Sequence, residues 1–286
     1  MPTIAVATCL AQPALQPGEA LLEIELARLG VDAFAAPWNG DFAPFAAADL
    51  ALVRSTWDYT DAPAAFAGFL DRLGREARRA VNPPALMRWN LSKAYLLELG
   101  EKGAPLPPTR RAAPDPAKLA AAMGALGLEE GIVKPIVGAT SKGLARVRRD
   151  DELGLARAAL GLDGHDALVQ PFLGEIATAG ETSFVFLGGE FSHAVVKRPA
   201  AGDIRTQQEF GAAILPAAPP PSAVREAARV LDHLPEPALY ARVDAVLLDG
   251  ALALMEVEVI EPELFLTHAE GAAARFARLL ADELKA

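Results

Sequence analysis

Between residues 4 and 81, short apolar runs alternate with helix-length patterns, and that alternation leaves few folds open. Ile4 to Ala7 reads as a buried strand. Leu22, Leu26 and Leu29 then recur at helical spacing until Gly30 stops them. Strands follow at Val31 to Ala35 and Leu50 to Val53. A helix at Ala64 to Leu73 is closed by Gly74, and a last strand at Ala80 to Val81 is halted by Asn82-Pro83-Pro84. Short apolar strands with helices between them predict a small doubly wound α/β domain.

The pattern then changes. A helix is expected over Leu91 to Leu99, followed by GAPLPPT (103–109), whose prolines impose an extended connector. Next come a helix (118–126), a strand, glycine loop and strand (132–148), a helix (152–160) and a strand (167–173), which make an α+β unit. Hairpins are expected at Gly188-Gly189 and Asp249-Gly250, and PAAPPPSA (216–223) reads as a loop. A final amphipathic helix carries Phe276, Leu279 and Leu280.

Composition narrows the function classes. No apolar run approaches the ~20 residues that cross a bilayer, and no basic region precedes the first one, so a soluble, cytoplasmic protein is expected. The one cysteine, Cys9, excludes an internal disulfide and any thiolate metal cluster. A net charge of -10 argues against nonspecific nucleic-acid binding, which requires a basic surface.

Four groups of residues carry chemistry. Lys134 stands at a strand end before GATSKG (138–143). There, small residues including Gly138 and Ser141 let backbone N–H groups approach phosphate, while Lys134 and Lys142 supply charge. The same composition also makes a plain turn. Arg242, Asp244, Glu256 and Glu258 flank the Asp249-Gly250 turn, and Glu256 and Glu258, two apart on a strand, share a face. An odd-numbered loop is expected, which sets Asp244 opposite Glu256 and Arg242 opposite Glu258 on that face, whereas a strict two-residue turn would set Asp244 on the other. Three crowded carboxylates suit magnesium, although an antiparallel sheet with an acidic solvent face reads the same way. Glu261 and Glu263 read as ordinary loop acids beside Pro262.

The third group is the strand of ALVQPFLGEI (167–176), which runs into Pro171. Backbone groups freed there, beside Gln170, Phe172 and Leu173, match the needs of an adenine edge, with Glu175 for a ribose hydroxyl. The fourth is basic: Lys197, Arg198 and Arg205 leave a hairpin strand, either as phosphate ligands or as solvated charge.

The order of these parts resembles the ATP-grasp superfamily over nearly the whole chain. The resemblance implies an N-terminal α/β domain (1–88) and two α+β lobes (89–168 and 169–286) that clasp ATP. It implies that Lys93 and Lys134 reach phosphates, that Gly138, Ser141 and Lys142 close over them, and that Gln170, Phe172, Leu173 and Glu175 meet the nucleoside. Asp244, Glu256 and Glu258 become Mg2+ ligands, with Lys197, Arg205 and Arg242 catalytic at the phosphates. The commoner family ending is Glu-x-Asn, so Glu258 adds negative charge. More narrowly, STWDY (55–59), GETSFVF (180–186), SHAVVKRP (192–199) and Arg205-Thr206-Gln207 resemble the cyclo-ligase that closes O-ureido-D-serine into cycloserine, and its relatives.

That resemblance makes Arg54, Trp57, Asp58 and Tyr59 candidates for substrate recognition, since ligands sit at the carboxyl ends of such strands. Packing against the lobe behind would also explain Trp57 and Tyr59. The implied function is an ATP-dependent carboxylate-amine ligase acting through an acyl phosphate on a small amino-acid-like acid, including intramolecular ring closure. Its partners would be a small carboxylate and an amine, without nucleic acid or membrane, and a homodimer is expected. An ATP-binding regulatory module and a small-molecule kinase are the alternatives.

Overall fold

The computed structural model describes residues 1–138, 142–200, 202–203, 205–206 and 210–285. Strand β1 (Thr3–Thr8), helix α1 (Pro17–Arg28), β2 (Asp32–Pro37), α2 (Ala43–Ala47), β3 (Leu50–Val53), α3 (Pro63–Glu76) and β4 (Ala80–Val81) build a parallel sheet ordered β2-β1-β3-β4. Successive residues of β1 enter different cores. Ile4 and Val6 join Leu22 and Leu26 of α1, whereas Ala5 and Ala7 join Phe66 and Phe69 of α3. Pro17 and Pro63 open α1 and α3, where no amide hydrogen is needed.

Helices α4 (Pro84–Asn90) and α5 (Tyr95–Glu101) lead into the proline-rich connector. Beyond it, β5 (Arg110–Ala112), α6 (Pro116–Ala125), β6 (Glu130–Pro135), β7 (Ala145–Arg148), α7 (Glu152–Gly161) and β8 (Ala167–Pro171) form an antiparallel sheet, β5-β8-β6-β7, with α6 and α7 packed on it. The carboxylates of Asp115 and Asp151 cap the two helices by accepting from the N–H groups of Lys118 and Gly154. Leu119, Met123, Val133, Leu155 and Val169 fill a core drawn from this segment alone.

After α8 (Glu175–Thr178), a second antiparallel sheet is built from β9 (Glu181–Leu187), β10 (Glu190–Arg198), β11 (Ala213–Ala217), β12 (Tyr240–Leu248) and β13 (Ala251–Glu258), in the order β11-β10-β9-β12-β13. One face, with Phe184, Phe186, Val243 and Leu254, packs on α5 and on α9 (Pro221–Leu231). The last helix, α10 (Ala272–Glu283), joins the core of the first sheet through Phe276, Ala277 and Leu280. The expected mixture of α/β and α+β parts is what the chain forms.

Three local expectations are corrected. The helix expected over 91–99 begins only at Tyr95, because residues 91–94 break away and the Lys93 N–H donates to the Ile136 carbonyl at 2.6 Å. The segment expected to be a loop at 216–223 holds the end of β11 and the start of α9, with Pro221 at the first helical position. The turn at Asp249-Gly250 has two residues, since Leu248 pairs with Ala251, yet Asp244 still pairs with Glu256. The odd residue lies in the strand. Met255 is skipped between Leu254 and Glu256, and this bulge brings the acids back onto the face of Asp244.

Strand β13 is a sheet edge, but its outward backbone groups are satisfied by other parts of the chain. The Leu254 N–H donates to the Pro105 carbonyl. Tyr95 Oη donates to the Val257 carbonyl and accepts from its N–H. Asn90 donates to the same carbonyl and accepts from the N–H of Val259. Asn82 donates to the carbonyls of Tyr240 and Val259. The acid-bearing strand is thereby fixed from both sides.

Candidate active site

The open face of the second antiparallel sheet carries a polar row across four strands. Lys197 of β10 pairs with Glu181 of β9; Ser183 of β9 lies opposite Asp244 of β12, and Asp244 lies opposite Glu256 of β13. Carboxylate oxygens of Asp244, Glu256 and Glu258 all come within 4.8 Å of one another. Cations interleave them. Arg242 grips both oxygens of Asp244 and reaches Glu258 at 2.6 Å. Lys197 lies 2.8 Å from Glu181 and 3.3 Å from Asp244, and Lys93 lies 2.8 Å from Glu256.

The electrostatics follow from burial and these neighbours. Burial alone would raise Asp244, but Arg242, Lys197 and the Ser183 hydroxyl hold it down to about 2. Burial likewise opposes ionisation of Glu256, yet Lys93 and Lys134 keep it below the usual carboxylate range. For Glu258 burial wins over Arg242 and, with Glu256 and Asp244 adding repulsion, pushes it up to about 7. Lys134, whose ammonium donates to the carbonyl of the bulged Met255 at 3.1 Å, is pushed down to about 8 by burial.

This row floors a cavity of about 330 Å3, a size that takes a small organic ligand. It is also lined by Ile132, Lys134 and Gln170 of the first antiparallel sheet and by Trp57 and Tyr59 after β3. Gln170 donates to Thr109 at 2.8 Å, while its buried carbonyl oxygen has no partner and is free to accept from a ligand. Gly143 holds the end of the glycine loop at a φ of 76°, and a Cβ there would meet the Gly161 carbonyl at 2.6 Å, so no side chain fits.

The family model for the N-terminal domain of D-cycloserine synthetase DcsG matches residues 4–82. Over 283 residues the chain is 31% identical to the cycloserine biosynthesis protein DcsG of Streptomyces lavendulae, covering 90% of each. The chain belongs to the DcsG family of ATP-grasp ligases. It is an ATP-dependent ligase, of the class that forms C–N bonds. The crystal structure of D-cycloserine synthetase DcsG superposes with a TM-score of 0.86 at 27% identity, over 99% of both chains. A RimK-domain ATP-grasp protein of Sphaerobacter thermophilus has a TM-score of 0.69 at 19% identity, over 99% of this chain and 100% of that one, and shows the fold alone.

Within this DcsG-family ligase the residues singled out from sequence divide in two. Lys93, Lys134, Gly138, Lys142, Gln170, Phe172, Lys197, Arg242, Asp244, Glu256, Glu258, Trp57 and Tyr59 all line the cavity. Leu173, Glu175, Arg54, Asp58 and Arg205 do not. Arg54 is buried against Glu19 and the Pro262 carbonyl, where it ties β3 to the segment after β13. Asp58 accepts from Trp38 at 2.6 Å and from Asn39 at 2.9 Å, which anchors the 3-10 turn that holds Trp57 and Tyr59. Arg205 pairs with Asp203 and covers the Phe210 ring. Ser141 and Gln207 lie outside the described residues.

Two acids were misjudged from sequence. Glu261 and Glu263 are not ordinary loop acids, because both line the cavity. Glu261 is only 6% exposed, and burial, with Glu258 nearby, pushes it up to about 8. Glu181, whose second oxygen accepts from Thr206, also belongs to the site, although only the GETSFVF resemblance pointed there. Alternation could have flagged Glu181, which shares a face with Ser183 and Val185.

Proposed function

We propose that this ligase activates a small carboxylate as an acyl phosphate and joins the acyl group to an amine, either on a second molecule or on the same substrate. The observation that carries the reading is the convergence of Asp244, Glu256 and Glu258 beneath Lys93, Lys134, Lys197 and Arg242 at the floor of one cavity. Hard carboxylate oxygens within 4.8 Å of one another suit Mg2+, and Glu258, which burial and the neighbouring Glu256 and Asp244 push up to about 7, is a carboxylate short of positive charge. When bound, the ion would screen the β- and γ-phosphate oxygens.

The chain's own residues do the rest. Lys93 and Lys134 hold phosphate oxygens, Gln170 and Phe172 meet the adenine, and Arg242 and Lys197 steady the charge that moves as the carboxylate attacks the γ-phosphorus. Trp57 and Tyr59 exclude water from the acyl phosphate. The similarity to D-cycloserine synthetase DcsG makes O-ureido-D-serine the first acid to try and ring closure the first outcome to look for.

The test is ADP release with Mg-ATP against O-ureido-D-serine and a panel of amino acids, with mass spectrometry of the products. ADP, phosphate and a condensed or cyclised product support the reading, whereas a phosphorylated product that accumulates would make the protein a kinase. Glu256→Gln removes one ligand charge and the Lys93 ion pair. It is expected to cut substrate-dependent ADP release by about a hundredfold or more; near-normal release would remove the metal assignment.

A further inference from the structure

Strand β10 carries one residue too many for its pairing with β9. Phe191 pairs with Phe186 and His193 with Val185, so Ser192 is passed over. Regular alternation would put Phe191 and His193 on one face. The bulge separates them: Phe191 faces the Phe184 and Phe186 rings, whereas His193 turns to the face of Val195 and of Lys197, which lines the cavity. There its Nε2 lies 2.9 Å from the Leu264 carbonyl. A carbonyl only accepts, so Nε2 carries the hydrogen. Burial, with the Arg275 charge nearby, pushes the pKa of the ring down and leaves it neutral at neutral pH, although the Leu264 carbonyl pulls the other way. Nδ1 therefore accepts from the Ser192 hydroxyl, whose oxygen accepts from Arg275 of α10 at 2.6 Å.

The carbonyl that His193 holds belongs to an unusual turn. Among the described residues, three other than glycine have a positive φ: Asp163, Asp249 and Phe265. The two aspartates are exposed and precede glycines in turns, where a short polar side chain tolerates this backbone. Phe265, at φ 48° and ψ 37°, is bulky and buried, and there the conformation persists only if neighbours enforce it. They do so residue by residue. The Glu263 carboxylate accepts from the Phe265 N–H at 2.8 Å, His193 donates to the Leu264 carbonyl, and the Phe265 carbonyl accepts from the His268 N–H. Arg242 rests on this turn. Its Nη1 donates to the Glu263 carbonyl at 3.3 Å, and its guanidinium carbon lies 5.9 Å from the centre of the Phe265 ring, while Nε and Nη2 grip Asp244 and Glu258.

We propose that His193 is a positioning residue of this ligase: through the Leu264 carbonyl it holds the left-handed turn at Phe265, and through that turn it fixes Arg242 for the attack on the γ-phosphorus. The inference rests on the ligase reading, in which Arg242 steadies the moving charge. His193 itself does not line the cavity, and no bond is made or broken there. Without its donor the turn relaxes towards an ordinary backbone conformation. The Phe265 ring and the Glu263 carbonyl then move off, and Arg242 keeps only its acidic partners.

The test compares His193→Leu, which fills the space without a donor, with His193→Gln, whose amide can still donate to the Leu264 carbonyl. Turnover is followed as ADP release from Mg-ATP with O-ureido-D-serine, or with whichever amino acid of the panel the wild type turns over fastest. Calorimetry gives Mg-ADP affinity. His193→Leu is expected to lose about tenfold or more in kcat, with Mg-ADP affinity within about twofold of wild type, and His193→Gln to keep most of the rate. Amide exchange over 263–268 should quicken in His193→Leu and not in His193→Gln, with β9 and β12 unchanged in both. Equal kcat in His193→Leu and wild type overturns the proposal. An equal loss in the two variants, or faster exchange spread over β9 and β12, makes His193 a packing residue of the sheet and also overturns it. Ser192→Ala, at a position outside the ladder, is the milder second variant. It frees the ring to turn and should lower kcat about threefold, so that an unchanged kcat there overturns the proposal even if His193→Leu does not fold. No ADP from the wild type with any acid would strike the ligase reading, and this proposal with it, whereas an active wild type beside an equally active His193→Leu strikes this proposal alone.

Discussion

Lys134 and Glu258 set opposite limits on the pH at which this site can work. Burial, with Lys93 beside it, pushes the Lys134 ammonium down to about 8, even though Glu256 pulls the other way. A phosphate needs that lysine charged. Below about pH 8 the proton is already present, and above it binding must take one up, so affinity falls as pH rises. Glu258 behaves inversely. Burial pushes it up to about 7, and a metal needs it ionised, so the proton must leave and affinity rises through that value. Affinity for Mg-ADP is therefore expected to peak between about pH 7 and 8. Calorimetry in buffers of different ionisation enthalpy should register net proton release on the acid side and uptake on the alkaline side. A flat profile from about pH 6 to 9 would show that neither group touches the nucleotide or its metal.

The element on which the site depends most is β13, and its order comes from side chains. Asn90 and Tyr95 satisfy the outward groups of Val257 and Val259, the residues that flank Glu258. Asn90→Ala strands the buried N–H of Val259, while Tyr95 still donates to the Val257 carbonyl; the cost is about 1–3 kcal/mol in denaturant unfolding, and turnover should fall because Glu256 and Glu258 lose part of their support. If stability drops while turnover stays normal, the acids are positioned by the ladder to β12 alone. Much of this element could be read in advance: the Asp-Gly turn, the alternation and the shared face of Glu256 and Glu258 are local properties. The bulge at Met255 is not, because nothing in LALMEVE distinguishes a register shift from a longer turn. Nor could local pattern reveal that the Lys93 N–H would leave its helix for Ile136, or that Glu261 would be buried against a wall supplied by Tyr59, about two hundred residues earlier. What remained hidden is what depends on distant partners. The core-facing strands, which need only their own apolar residues, were legible.

At the scale of the whole molecule the cores divide the chain unequally. One core runs from Ile4 and Leu52 through Tyr240 to Phe276 and Leu280, and thereby fuses the N-terminal sheet to the acid-bearing sheet. Asn82 adds to this join by accepting from the N–H groups of Leu239 and Tyr240, and the Tyr240 hydroxyl, with its single hydrogen, lies 2.7 Å from the Val53 carbonyl and 2.8 Å from the Ile260 carbonyl. The sheet from β5 to β8, by contrast, has a core of its own drawn from residues 112–169, and among the described residues only Leu168 and Ile136 of this region join the core beneath the acid-bearing sheet. Two of the links between that sheet and the rest run through Lys93, which reaches the Gly138 carbonyl, and Lys134, which reaches the Met255 carbonyl. A third, Lys142 to Asp61, is an exposed pair that contributes little. We infer from this division that residues 110–171 move as one body while the other two sheets stay together. Both of these lysines are ones that phosphate oxygens would claim, so nucleotide binding exchanges these two contacts for contacts to the ligand. Mg-ADP is therefore expected to slow hydrogen exchange in β6 and β7 strongly and in β1 and β12 hardly at all, because the last two are already locked into the shared core. Equal slowing in all four strands would mean that the ligand stabilises the molecule globally by mass action, and the picture of one lobe closing on a fixed base would then be abandoned.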